Sequence, residues 1–84
     1  MRIDCAIYKE VDEIDHLTIR YRRGEPLDRK TAVAMIKRYT ACFDDVKAAF
    51  ADRDTSLAAL EATDDRTLHD WLVEIRTTLM RRVF

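Results

Sequence analysis

Glu13 and His16 stand three residues apart, the spacing at which one helix face offers a carboxylate and an imidazole to a metal ion, as in helical di-iron proteins. Such a centre also needs a second pair and two further inward carboxylates, and the other histidine, His69, has Arg66 at the corresponding position. Asp12 with His16, and Asp65 with His69, are four residues apart, which hydrogen bonding or weak ion pairing along a solvent-facing helix explains as well. Cys5 and Cys42 lack any CxxC or Cys/His spacing and read as free thiols. Ser56 is the lone serine, in a cap-like setting, and Gly24 is the lone glycine, so neither a nucleophile constellation nor a phosphate-cradling loop is visible. These residues support no catalytic site, no metal site and no cofactor.

The densest basic stretch is Arg20, Tyr21, Arg22 and Arg23, with Arg29 and Lys30 across a turn and Lys37 and Arg38 about two helical turns further on. An aromatic among arginines is suited to contacting phosphate and a base. Asp12, Glu13, Asp15, Glu25 and Asp28 are interleaved or adjacent, however, and cations at a helix carboxyl terminus are what the helix dipole favours in any case. A nucleic-acid surface at Arg20, Arg22, Arg23, Arg29 and Lys30 therefore ranks behind a solvated helix end. The run Val11-Asp12-Glu13-Ile14-Asp15, followed by the same arginines, is similar to part of the first helix of the all-helical chorismate mutases. That helix is much longer in the family, whereas Gly24-Glu25-Pro26 ends it here, and the arginines that would hold a dicarboxylate have no matching positions. No membership follows, only the precedent that a helical dimer of this size can be an enzyme.

The elements that must position these residues are helical by period. Ile7, Val11, Ile14, Leu17 and Tyr21 recur every three or four positions and predict a helix from about Asp4 to Arg23, stopped by Gly24 and Pro26. A competing amino-terminal β-hairpin over residues 2–22 rests on the alternation of Leu17, Ile19 and Tyr21 with Thr18, Arg20 and Arg22. Against it, Lys9 to Asp15 contains no turn residue and keeps the helical period. Ala32, Ile36, Tyr39, Phe43, Val46 and Phe50 draw one apolar stripe on a second helix, capped by Asp28 and running to about Ala51. Polar breaks at residues 52–56 and 63–65 bracket a short helix, Leu57 to Ala62, and Leu68, Leu72, Ile75, Leu79 and Val83 form the seam of the last one. The expected fold is all-α: a single domain over residues 1–84, a small antiparallel bundle of three long helices plus one short connecting helix.

A chain of 84 residues with formal net charge −1 carries no global field toward nucleic acid or anionic membrane. Its core is thin, which leaves apolar surface for association. Without a signal peptide or membrane span in the sequence, a cytoplasmic location is expected. The expected function is a small non-enzymatic protein-protein interaction module, of the kind met in adaptors, chaperones, antitoxins and phage-type inhibitors of bacterial enzymes. Its partner would be another protein or a second copy, met through Tyr8, Ile19, Trp71, Met80 and Phe84, which lie outside the best seams. A nucleic-acid-binding regulator and a small dimeric enzyme are the alternatives.

Overall fold

The computed structural model describes residues 5–81. It contains five helices: α1 (Cys5–Arg22), α2 (Arg29–Cys42), α3 (Asp44–Ala49), α4 (Leu57–Ala62) and α5 (Asp65–Met80). No strand occurs among the described residues, so the hairpin alternative is set aside. The reason is visible at the residues that suggested it. Thr18, polar and out of phase with the alternation, is buried with its hydroxyl donating to the Ile14 carbonyl at 3.0 Å, while Ile19 points outward. Burial follows the helical spacing Val11, Ile14, Thr18, and a strand would have reversed it.

Local chemistry accounts for most of the boundaries. Gly24 adopts φ 96°, and the amides of Gly24 and Glu25 donate to the carbonyls of Tyr21 and Arg20 at 3.0 and 3.1 Å, a Schellman closure that glycine alone adopts without strain. Asp28, Ser56 and Asp64 cap α2, α4 and α5 by accepting from the amides of Thr31, Ala59 and Thr67. The hydrogen bonds from the Thr67 side chain and backbone hold the Asp64 carboxyl below its ordinary 3.8. Its cap is therefore at full strength above that value and is lost as the pH falls through the lowered one. Asp64→Ala is expected to lower the thermal midpoint by a few degrees at neutral pH. That difference should shrink as the pH is taken progressively below 3.8, which paired melts would record.

The second helix departs from expectation. Phe43 takes an extended backbone, φ −117° and ψ 117°, and divides the anticipated single helix into α2 and α3. Asp44 and Asp45 then open α3 with acids at its positive end. Val46 and Phe50 are still buried, because the bend carries α3 back onto α5.

α5 is the hub, packing against α1, α2 and α3, and Leu68, Leu72, Ile75 and Leu79 are fully buried along it. α1 runs antiparallel to α5, since Asp15 accepts from Arg76 Nε at 2.7 Å while Tyr21 stacks on His69 with ring centroids 5.2 Å apart. α1 is also tied to α2 by Arg38, which donates to Glu10 and, at 2.9 Å, to Glu13. α4 lies against α2 and is tied down by Arg29, whose guanidinium donates to the carbonyls of Glu61 and Thr63 at the end of α4 and to Asp65. Arg29 thereby satisfies carbonyls that the short helix leaves without intrahelical partners.

Candidate protein-binding groove

α2 presents one outward line of residues at helical spacing, Lys30, Ala34, Lys37 and Ala41, all exposed. Because α4 is only six residues long and buries Leu60, its first residue has no core position to occupy. Leu57 is left 52% exposed, the most exposed large apolar side chain among the described residues. Between the two helices lies an open groove of about 580 Å³, with Val33, Ala34 and Leu57 forming its apolar part and Arg29, Lys30, Lys37 and Glu61 its polar rim. Lys37 is shared with a second, adjoining groove of about 330 Å³ that Thr40, Lys47, Phe50, Arg53 and Thr55 help to line.

Electrostatically the cations of the groove fall into two sets. The two arginines are consumed by the fold: Arg29 pairs with Asp65, and Arg53 pairs with Glu74. The Glu74 hydrogen bond and charge, against the opposing effect of burial, push the Arg53 guanidinium further up. Lys30 and Lys47 form no ion pair among the described residues, and Lys37 reaches the Thr55 carbonyl at 3.5 Å; Asp28 lies near enough to Lys30, and Asp54 to Lys37, to feel their charge. Glu61 is the one carboxylate in the lining.

The residues singled out by sequence are dispersed. Ile19 is 41% exposed at the edge of a separate groove of about 360 Å³ between α1 and α5. The arginines there are occupied, Arg76 by Asp15 and Arg22 by the Thr18 carbonyl at 3.3 Å. Trp71 and Met80 are half-buried and pack against the core. Trp71 meets Phe50 edge-on at 5.8 Å beneath the Arg53 guanidinium. Tyr8 lies on α1 with its side chain outside the described residues, as is Phe84. In the basic stretch Arg20, Arg23 and Lys30 are exposed, but Arg22 and Arg29 bond within the protein and Tyr21 turns to His69.

The two histidines have separate surroundings. His16 donates from Nδ1 to the Asp12 carbonyl at 2.9 Å on the exposed side of α1. His69 is buried, with Nδ1 donating to Asp70 at 3.0 Å and Nε2 without a partner among the described residues. Asp65, four residues before it, serves Arg29 instead. No group of three or more metal-ligating side chains comes together among the described residues. No described helix is long and apolar enough to cross a membrane.

Leu57, Lys37 and Lys47 were not picked out by sequence as members of one site. The available signal was an apolar residue directly after the Ser56 cap of a helix too short to bury two leucines. Comparison with known proteins yields no match: no family model, no curated protein and no solved structure is similar to this chain. Its own residues define the class, an all-helical chain with an apolar groove rimmed by lysines.

Proposed function

We propose that this chain is a non-enzymatic helical module that works by binding another protein, with the groove between α2 and α4 as its contact surface. The observation that carries the reading is Leu57, 52% exposed in an open groove on a protein that turns its other large apolar side chains, Ile19 apart, inward among the described residues. Contiguous exposed apolar surface rimmed by polar groups marks interaction sites, and here Leu57 is joined by Val33 and Ala34 in one groove. The groove's ionisable side chains are four cations beside Glu61 and, at its far end, Arg53 bound to Glu74; neither histidine opens onto it. The nucleic-acid alternative loses support from the dispersal of its arginines, two of which already bond within the fold.

A photo-crosslinking amino acid at position 57, in cells that make this protein, is expected to yield a discrete adduct with one other protein. The same group at His16, whose side chain is 74% exposed on α1, should yield none. Equal or absent labelling from the two positions would remove the reading. An adduct at twice the 9.9 kDa chain mass would replace the foreign partner with a second copy.

A further inference from the structure

We infer that the occupant of this groove is an acidic amphipathic helix of the partner protein, its carboxylates set against Lys30, Lys37 and Lys47 and an apolar residue seated on Leu57. The inference rests on the protein-binding reading and specifies its partner.

Charge complementarity is the first support. The whole chain carries net charge −1, yet the groove and its continuation are lined by cations against the single carboxylate of Glu61. The arginines in these walls already hold Asp65 and Glu74, while the lysines, with Asp28 near Lys30 and Asp54 near Lys37, form no ion pair among the described residues, so the cationic charge open to a partner belongs to the lysines. An excess of one sign in the lining of a groove favours a partner of the other sign and speeds its encounter.

Geometry is the second. Lys30 and Lys37 are seven residues apart on one face of α2, or about 10 Å along the axis. An opposing helix matches that separation with acids seven residues apart and places apolar residues three and four positions on, over Leu57. Ala34 and Ala41 alternate with the lysines and are exposed, which keeps this ridge low and lets a helix axis approach to roughly 8–10 Å. A nucleic acid fits less well. The aromatic ring lining the groove, Phe50, is only 3% exposed, so bases find no face to stack on, and Leu57 would lie against phosphate.

The test uses the full chain and a fluorescein-labelled helical peptide of about 16 residues, about 24 Å long, with Glu at seven-residue spacing and Leu three and four positions on. Anisotropy titrations are expected to show salt-sensitive binding, weakened at least about tenfold by changing the peptide's Glu to Gln or by scrambling its order. Lys30→Glu with Lys37→Glu should lose a similar factor and gain affinity for the Lys counterpart of the peptide. Both side chains are exposed, so the helical circular dichroism should stay unchanged and fold loss is excluded. Leu57→Ser should weaken binding without reversing the charge preference. Equal binding of the scrambled peptide, equal or tighter binding of single-stranded DNA of matched charge, or indifference to the lysine reversals would overturn the inference. If crosslinking from position 57 still captures a protein after such a result, the acidic helix alone is refuted; if that crosslinking fails, the protein-binding reading falls with it.

Discussion

Tyr39→Ala is expected to remove about 4 kcal/mol of folding stability, the range found when a buried aromatic is truncated. Tyr39 is fully buried on α2, packs near Phe43 with ring centroids 6.2 Å apart, and lies below the Arg38 guanidinium, 5.0 Å from its ring centroid. Its hydroxyl accepts from Arg38 at 3.1 Å and donates to Glu10, closing a network between α1 and α2. At roughly 0.05–0.15 kcal/mol per residue, a domain of 84 residues has about 4–13 kcal/mol in all, so this loss is between a third and the whole of it. Urea unfolding should therefore show a strongly lowered midpoint. Tyr39→Phe keeps the ring and deletes the hydroxyl, so about 1 kcal/mol is expected. A loss for alanine no larger than that for phenylalanine would show that the ring is not packed as described.

The same residue sets an alkaline limit. Burial, and then the hydrogen bond to Glu10, push the Tyr39 hydroxyl well above its ordinary 10.0, against the opposing effect of Arg38. The folded state therefore keeps a proton that the unfolded chain releases, so the stabilising difference is intact below about pH 10 and declines as the pH rises beyond it. Tyr39→Phe should show a shallower alkaline decline than the native chain when unfolding midpoints are compared at matched pH.

The second large effect is expected at Trp71→Ala, about 2 kcal/mol, less than a full core truncation because the indole is half-buried. Its edge-on contact with Phe50, at an interplanar angle of 87°, and the Arg53 guanidinium 4.3 Å from the Phe50 ring centroid form a stack clamped by Glu74. Trp71 is thus a brace between α5 and the end of α3, and its loss should appear in the denaturation midpoint. Ile19→Glu, at an exposed position, should change stability by less than about 0.5 kcal/mol. If Trp71→Ala left the midpoint unchanged, the indole would be available for partner contact after all.

What could be read directly from the chain was whatever is decided within one or two turns of backbone. The stop at Gly24, the caps at Asp28 and Ser56, the polar break at residues 63–65, the bounds of α4 and the buried seam of α5 from Leu68 to Leu79 all follow from residues bonding or packing a few positions away. The break at Phe43 was not legible, since the apolar stripe continues through it and only the return of Val46 and Phe50 to α5 makes the bend favourable. The basic stretch likewise dissolved because neighbours in sequence turn to different faces of a helix and meet different partners, Thr18 for Arg22 and Asp65 for Arg29. The groove belongs wholly to tertiary structure. Lys37 and Leu57 are twenty residues apart in the sequence, and exposure is what remains after packing: Arg29 and Arg53 are paired with Asp65 and Glu74, while Lys30, Lys47 and Leu57 are left facing solvent.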